Sequence, residues 1–261
     1  MRVERQRLDE ALVERRLVDS RSQARAFILA GHVHVNGAKV DKAGSSTTTG
    51  DDISLAVAPR FVSRGGEKLS HALNVFGIDV EGCTAADVGA STGGFTDCLL
   101  QRGARRVFAI DVGYGQLAER LRLDRRVQVV DRTNVRYLGE LPERPSVVTI
   151  DVSFISLALV LPVVAGWLTT GDTCVPLVKP QFEAGRKDVG KGGVVRDLSI
   201  HQRVLHETTS AAQKFGFSIL GLTQSPLRGP AGNVEYLAHL VRGGTGLNPT
   251  SVVDRLFLTN D

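Results

Sequence analysis

Five charged residues each close a short apolar run in the second part of the sequence: Asp87, Asp111, Asp131, Asp151 and Lys179. The runs are rich in Val and Ile, which is typical of buried parallel strands. In an open parallel sheet, ligands bind in the crevice outside the carboxyl ends of the strands. One such residue commonly caps a helix or closes a turn. Five together favour a shared binding or catalytic site in that crevice.

A glycine-rich loop follows the first of these runs, in the stretch DVGASTGGFTD (87–97). Glycine tolerates positive φ and lets the backbone approach a ligand closely. Asp111 lies 22 residues after Gly89, where a carboxylate can accept hydrogen bonds from the ribose hydroxyls of a nucleoside cofactor. Asp131, at the end of the third run, would lie near the adenine. The predicted cofactor-binding residues are Asp87, Gly89, Ala90, Ser91, Thr92, Gly93, Gly94, Phe95, Asp111, Val112 and Asp131.

The same loop also fits a hydrolase, because residues 89–93 match the G-x-S-x-G pattern that presents a nucleophilic serine. A hydrolase needs an acid and then a histidine downstream, and His201, His206 and His239 are available. None of them follows an apolar strand, and Asp111 would have no role. The sequence therefore favours a cofactor loop. A G-x-G-x-x-G fingerprint is absent, which disfavours NAD and leaves S-adenosyl-L-methionine as the predicted cofactor.

The spacing of the apolar runs predicts the elements that position these residues. Stretches of 10–15 residues that could form helices separate the runs, as in successive βαβ units. The segments FSILGLTQSPL and VEYLAHLVR predict two further strands joined by a Gly/Pro loop, and a short helix is expected near the C-terminus. The predicted class is α/β: a Rossmann-like domain with a doubly wound, mostly parallel sheet, preceded by a small α+β domain.

The front of the chain has another pattern. Residues 7–19 have helical spacing, and a second helix is predicted between an N-cap at Ser20 or Ser22 and a stop at Gly31. Asn36-Gly37 between alternating residues predicts a hairpin. Residues 43–53 are expected to be polar turn material before a last short strand. In this order the features resemble the S-four-type RNA-binding domain over residues 6–55.

That resemblance implies delivery of an attached enzyme to structured RNA through contacts with backbone and shape. Residues 1–64 carry +3 of the net charge of +4, which agrees with a polyanionic partner. A single arginine on such a face can equally be solvated without binding RNA. The residues predicted to contact RNA are Arg5, Arg7, Arg21, Arg25, Lys39 and Arg64.

Five further motifs occur in order along the chain: FVSRGGEKL (61–69), DVSFISL (151–157), LVKPQFE (177–183), GGVVRD (192–197) and GNVEYL (232–237). With the front domain, they resemble the TlyA, or hemolysin A, family of ribosomal RNA ribose 2'-O-methyltransferases over nearly the whole chain. The resemblance implies methylation of cytidine in the small subunit, the large subunit or both. It also implies a catalytic tetrad of Lys68, Asp151, Lys179 and Glu235.

These residue types suit the reaction. A ribose hydroxyl is a poor nucleophile and must lose its proton as it attacks a methyl carbon. A lysine held by carboxylates can stabilise the developing oxyanion, and burial or a second lysine favours a neutral base. The sequence leaves the choice of lysine open, although a strand end is a rigid mount for Lys179. Lys68 could instead contact a phosphate, and Glu235 could be a surface carboxylate.

No metal is expected, because a methyl-bearing sulfonium loses its positive charge during transfer. Cys83, Cys98 and Cys174 show no C-x-x-C spacing, which predicts neither a zinc knuckle nor a disulfide framework and indicates a reducing cytoplasm. No run approaches the ~18 apolar residues of a membrane helix. We expect a cytoplasmic protein that binds ribosomal RNA or ribosomal subunits, with no membrane contact and no obligate protein partner.

The predicted domains are an RNA-binding domain over 1–58, a linker over 59–64 and a methyltransferase domain over 65–261. Two other functions stay open. The protein could be a membrane-active, hemolysin-like protein, although no spanning helix or sustained barrel pattern supports it. It could also be a non-catalytic ribosome-assembly factor that binds RNA and uses the cofactor structurally.

Overall fold

The computed structural model describes residues 5–18, 20–29, 31–56, 60–229 and 231–258. The contacts within the chain divide it into two compact units, Met1–Pro59 and Arg60–Asp261. The predicted domain boundary at residues 58 and 59 lies outside the described residues, so it stays a prediction.

The first unit combines two helices with two small antiparallel sheets. Leucine, alanine and isoleucine side chains of both helices pack against Val33 and Ile53 in a small core. One sheet has the order β3-β2-β5, and in the other β1 pairs with β4. The elements are β1 (Arg5–Arg7), α1 (Leu8–Glu14), α2 (Arg21–Leu29), β2 (Val33–Val35), β3 (Ala38–Val40), β4 (Ser46–Thr48) and β5 (Ile53–Leu55).

The local signals in this unit are largely confirmed. The Oγ of Ser20 accepts a hydrogen bond from the Gln23 N–H at 3.2 Å, so Ser20, not Ser22, caps α2. Gly31 follows the helix with φ +73°, and Asn36 and Gly37 turn the hairpin with φ +51° and +77°. The turn predicted over residues 43–53 is wrong in part, because β4 pairs there with β1. That pairing joins residues about 40 positions apart and has no local signal.

The second unit is built on a seven-stranded sheet with the order β11-β12-β10-β9-β6-β7-β8. All neighbours are parallel except those involving β12, which is antiparallel to β10 and β11. The elements are α3 (Gly65–Phe76), β6 (Thr84–Val88), α4 (Gly94–Gln101), β7 (Arg106–Ile110), α5 (Glu119–Arg122), β8 (Val127–Val130), β9 (Val147–Ile150), α6 (Leu161–Trp167), β10 (Thr173–Val178), α7 (Pro180–Glu183), α8 (Leu198–Lys214), β11 (Phe217–Gln224), β12 (Tyr236–Arg242) and α9 (Pro249–Leu258).

Alternate residues of the strands enter two separate cores, one on each face of the sheet. Ala85 and Val107 pack with residues of α3 and α4, whereas Ala86 and Phe108 pack with residues of α6, α8 and α9. This alternation follows from the period of two along a strand. The predicted doubly wound sheet, its C-terminal strand pair and the final helix are confirmed.

The predicted helix between β8 and β9 is wrong. The described residues there contain only the short 3₁₀ turn Val135–Tyr137. Gly139, Pro142 and Pro145 follow it, and glycine and proline disfavour a helix interior.

Residues of the predicted linker pack on the second unit. Phe61 is 2% exposed, and a Cβ on Gly66 would lie 2.2 Å from its ring. The Val62 N–H donates a hydrogen bond to the Asp97 carboxylate at 2.8 Å. Residues 61 and 62 are therefore part of this unit's core rather than a free connection.

Candidate active site and nucleic-acid interface

The strand register brings the carboxyl ends of the parallel strands to one edge. Ile150 is paired with both Val88 and Pro176, and Ile110 with Val88 and Val130. The residue that follows each of β7, β8 and β9 is therefore an aspartate at this edge: Asp111, Asp131 and Asp151. Val178 of β10 is paired with Tyr236 of β12. Because these strands are antiparallel, Lys179 and Glu235 reach the same edge.

The four residues of the predicted tetrad form two ion pairs. Lys68, on α3, pairs with Glu235. The Lys179 Nζ lies 2.7 Å from the Asp151 Oδ1, and it donates a hydrogen bond to the Ser153 Oγ at 3.0 Å. The lysine side chains are 10% and 11% exposed, so both pairs are largely withdrawn from solvent.

All four residues line one cavity of about 470 Å³, called the tetrad cavity below. The Gln181 amide on α7 donates a hydrogen bond to the Glu235 carboxylate at 3.4 Å, which connects the segment that follows Lys179 to the Lys68–Glu235 pair. The rest of its wall comes from the glycine loop and from three other segments: Ser63, Arg64, Gly65, Gly89, Ala90, Ser91, Thr92, Gly94, Phe95, Ser153 and Arg228.

A second cavity of about 760 Å³, the Asp111 cavity, shares Gly89, Ser91, Asp151 and Ser153 with the first. The two are therefore adjacent and meet at the glycine loop. Its other lining residues include Asp111 and several apolar side chains that could cover an adenine: Val88, Ile110, Val112, Val135, Val152, Phe154, Ile155 and Leu159.

The loop at the junction depends on glycine and on Asp111. Gly89 has φ +86°, and a Cβ there would lie 2.5 Å from the Asp151 carbonyl oxygen, so no side chain fits. The Asp111 carboxylate accepts hydrogen bonds from the N–H groups of Ser91 at 2.8 Å and Gly113 at 2.7 Å. These bonds orient Asp111, and each oxygen retains a lone pair for a further donor. The residues present fit a nucleoside cofactor with a ribose at Asp111.

Asp87 requires a correction. It is fully buried inside β6 and lines neither cavity. It accepts hydrogen bonds from the hydroxyls of Thr96 at 2.7 Å and Thr149 at 3.2 Å. Burial raises the pKa of its carboxyl to about 7. Asp87 therefore supports the loop from beneath by joining α4 to β9.

Ala90, Thr92, Gly94 and Phe95 line the tetrad cavity but not the Asp111 cavity, and two other predicted cofactor residues line neither. Asp131 accepts a hydrogen bond from the Gly115 N–H at 3.0 Å and is close to Arg122, so it holds a neighbouring loop. Gly93, with φ +96°, packs against Leu117 and Leu121. Neither lines the Asp111 cavity, which is reached instead by Thr133, Asn134 and Val135 after β8.

The hydrolase interpretation finds no support in this geometry. The Ser91 Oγ has Gln116 Oε1 as a neighbour at 3.4 Å. No histidine is among the described residues that line either cavity. Ser91 has φ +49°, and its N–H is bound to Asp111, which is a role in holding the loop.

Sequence reasoning missed the contacts that brace the segment after Asp151. Glu183 of α7 accepts hydrogen bonds from the Ser156 hydroxyl at 2.6 Å and the Leu157 N–H at 2.8 Å. Burial raises the pKa of its carboxyl. The Phe182 ring lies 4.7 Å from that of Phe154. Phe182 and Glu183 belong to the motif LVKPQFE, which indicated that this segment matters. The sequence did not show that they contact residues 154–157.

In the first unit, three predicted RNA-binding arginines surround one buried carboxylate. Asp9 accepts hydrogen bonds from Arg7 at 2.9 Å, Arg25 at 3.1 Å and Arg21 at 3.2 Å. The arginine side chains are 46–55% exposed, whereas Asp9 is 0% exposed. Hydrogen bonds from Arg7 and the other two arginines keep the pKa of Asp9 well below its usual range. We call these four residues the Asp9 cluster.

The other predicted RNA-binding residues are not members of this cluster. Arg5 is exposed on β1, and the Lys39 side chain lies over Gly31, where a Cβ would come within 2.1 Å of it. Arg64 lines the tetrad cavity. No helix among the described residues is long and apolar enough to cross a membrane.

A Rossmann-like sheet with a glycine loop, an aspartate suited to a ribose, and paired lysines and carboxylates at the adjoining cavity define a class I methyltransferase. Comparison with known families agrees with this. Residues 61–242 match the FtsJ-like methyltransferase family, and residues 6–53 match the S4 domain. The chain belongs to the FtsJ-like methyltransferases, in the group of TlyA and hemolysin A.

Three relatives illustrate the similarity. The 16S/23S rRNA (cytidine-2'-O)-methyltransferase TlyA of Mycobacterium tuberculosis is 48% identical over 244 residues, 90% of each chain. Hemolysin A of Brachyspira hyodysenteriae is 44% identical over 238 residues, 90% of this chain and 99% of that one. The solved structure of a hemolysin-named protein from Streptococcus thermophilus is 43% identical, with a TM-score of 0.73 and coverage of 98% and 97%.

Proposed function

We propose that the protein is an S-adenosyl-L-methionine-dependent ribose 2'-O-methyltransferase that acts on cytidine of ribosomal RNA. One observation carries the proposal: both lysine–carboxylate pairs line a single cavity that adjoins the Asp111 cavity at the glycine loop. A ribose hydroxyl in the first cavity would be beside a cofactor in the second. The names of the relatives support the choice of ribosomal RNA and of the ribose 2'-oxygen, in both subunits.

Asp111 would hold the cofactor in the Asp111 cavity by accepting hydrogen bonds from its ribose hydroxyls. S-adenosyl-L-methionine supplies an electrophilic methyl group on a sulfonium. Gly89 allows the backbone to approach closely at the junction of the cavities. Val112 and Val135 contribute apolar surface for the adenine.

Lys179 acts on the acceptor. Its Nζ is held by Asp151 at 2.7 Å and by Ser153 at 3.0 Å. We assign to Lys179 the role of the base that accepts the proton of the 2'-hydroxyl. Lys179 first releases its own proton to solvent and then accepts that of the hydroxyl as the oxygen becomes nucleophilic, and Asp151 stabilises the resulting ammonium. Lys68, held by Glu235, supplies positive charge close to the developing oxyanion.

The test is transfer of a labelled methyl group from S-adenosyl-L-methionine to purified small and large ribosomal subunits. We expect label at the 2'-oxygen of cytidine, established by nucleoside analysis after digestion. Label on a base would contradict the proposed acceptor. Cofactor and RNA binding without transfer would instead support an assembly factor, and leakage from liposomes that persists in Lys179→Ala would support a membrane-active protein.

A further inference from the structure

The wall of the tetrad cavity includes two arginines in addition to the tetrad. Arg64 immediately precedes α3, and Arg228 lies in the loop between β11 and β12. The sequence singled out Arg64 as an RNA contact but did not single out Arg228. Both side chains are at the exposed rim of the cavity.

The charges of the lining residues are not balanced. Lys68 and Lys179 are each paired with a carboxylate, Glu235 and Asp151. Arg64 and Arg228 have no carboxylate partner within the described part of the chain. The six charged lining residues therefore leave a net charge of +2, and it is located on the two arginines.

The arginines are held in place by backbone oxygens. Arg64 donates a hydrogen bond to the Arg228 carbonyl oxygen at 2.6 Å, and Arg228 donates one to the Gly232 carbonyl oxygen at 3.1 Å. A guanidinium has five N–H donors, so each arginine retains donors for a ligand. The planar fork of a guanidinium matches a phosphate, which it can bind with two hydrogen bonds.

We propose that Arg64 and Arg228 form a phosphodiester subsite that binds the phosphates flanking the methylated ribose. This deepens the proposed function and rests on it. The paired lysines are committed to their carboxylates, so the arginines supply the charge that a nucleotide's backbone requires. The subsite recognises backbone rather than base, and it contributes to the affinity for RNA at the tetrad cavity.

The experiment compares Arg64→Gln and Arg228→Gln with Arg144→Gln in the full-length protein. Arg144 is an exposed arginine that precedes β9, at the opposite edge of the sheet from Asp151. For each variant, KM and kcat for ribosomal subunits and the subunit Kd are measured over a series of salt concentrations. Calorimetry with S-adenosyl-L-methionine and a thermal melt report the cofactor site and the fold.

We expect each cavity variant to raise KM and Kd for subunits about tenfold, as for loss of one charged contact, with kcat within about twofold of wild type. The slope of log Kd against log salt should fall by roughly 0.7–0.9 for each lost phosphate contact. Arg228→Lys should recover part of the loss because it keeps the charge.

Values for Arg64→Gln and Arg228→Gln equal to those for Arg144→Gln would overturn the subsite. A fall in kcat with unchanged KM and salt slope would also overturn it, because the arginines would then act on the reaction rather than on the RNA. Failure of the wild-type protein to methylate any subunit would refute the proposed function instead. The salt slope of binding would still test the phosphate contacts in that case.

Discussion

The first unit surrounds one buried carboxylate with three arginines, whereas the second gives each of two lysines its own carboxylate. In the Asp9 cluster the arginine side chains are 46–55% exposed, and three positive charges face Asp9 and the Glu10 that also pairs with Arg21 at 3.2 Å. In the tetrad cavity the lysine side chains are 10% and 11% exposed, and each pair is neutral. The carboxylates thus leave excess arginine charge at the surface of the first unit, whereas those of the tetrad balance the charges of the two lysines.

The difference indicates two uses of a buried carboxylate. Asp9 orders guanidinium groups that remain accessible to a polyanion, and their excess charge supports binding. Asp151 and Glu235 hold lysines in a confined cavity, where positions matter more than net charge. Asp87 is a third case, a buried carboxyl that is hydrogen-bonded by Thr96 and Thr149 and has no basic partner in the described residues, and its pKa rises where that of Asp9 falls. Substitutions at Lys179, Asp87, Asp111 and Asp9 test this comparison.

The largest effect is expected at Lys179. Lys179→Ala should lower methyl transfer roughly 10²–10⁴-fold, the range for loss of a general base, with cofactor and RNA affinities near those of wild type. Single-turnover transfer to ribosomal subunits measures the first, and calorimetry and subunit binding measure the second. Lys214→Ala, at an exposed lysine that ends α8, is the matched control.

Lys179→Arg distinguishes a base from a fixed charge, because a guanidinium keeps its proton. We expect it to fail as well, and near-normal turnover would mean that Lys179 acts only through its charge. Combining Lys179→Ala with Lys68→Ala should cost less than the sum of the single losses, since residues that act as a unit are not additive.

Asp87→Asn should remove a pH dependence of stability. The folded-state pKa of about 7 lies above the ordinary value of 3.8, so the unfolded chain releases this proton first. The stabilisation is complete below about pH 4 and is lost as pH rises to 7. This difference in pKa corresponds to on the order of 4 kcal/mol of folding free energy.

Urea unfolding from pH 4 to pH 8 measures the effect, with Asp79→Asn at an exposed carboxyl as the control. Relative to wild type, the free energy of unfolding of Asp87→Asn should rise between pH 4 and pH 7. The difference between the two proteins should then stay constant from pH 7 to pH 8. Parallel curves for the two proteins would mean that Asp87 is ionised in the fold.

Asp111→Ala should weaken S-adenosyl-L-methionine binding by at least roughly 10- to 150-fold, because each of the two hydrogen bonds lost from the carboxylate contributes about 1.5–3 kcal/mol. RNA affinity should be unchanged, because Asp111 lines the second cavity and not the tetrad cavity. Titration calorimetry measures the first and subunit binding the second. Wild-type cofactor affinity would remove Asp111 from the site.

Sequence patterns were sufficient where the signal is local. Runs of Val and Ile predicted the strands, and their register aligns Asp111 and Asp151 at one edge of the sheet. The pairing of Lys68 with Glu235 spans 167 positions, and only resemblance indicated it. The burial of Asp87 was missed because its position just before the glycine loop does not indicate whether its side chain faces the crevice or the core.

The Asp9 cluster was missed for a related reason. Its arginines lie on β1 and α2, and the sequence shows their charge but not the acid that they share. Asp9 is in the first turn of α1, where an acidic residue is common for the helix dipole alone. Only the packing of α1 against β1 and α2 shows that it organises basic residues from two other elements.

The smallest effect is expected at Asp9, where RNA affinity should change in the direction opposite to the one that net charge predicts. Asp9→Asn removes a negative charge, so simple electrostatics predicts tighter RNA binding and a steeper salt dependence. If Asp9 positions the arginines, affinity for ribosomal subunits should instead fall, by roughly 3- to 10-fold or about 0.7–1.4 kcal/mol. Asparagine keeps the shape of the side chain, and a thermal melt checks the fold.

Asp41→Asn is the matched control, because it changes the net charge equally at an exposed residue of the same unit. It should bind subunits as well as wild type or slightly better. The measurement is subunit Kd at several salt concentrations for both variants. Equal or tighter binding by Asp9→Asn than by Asp41→Asn would mean that charge alone governs the first unit. Weaker binding despite the added positive charge would show that the arginines act through the geometry that Asp9 imposes on them.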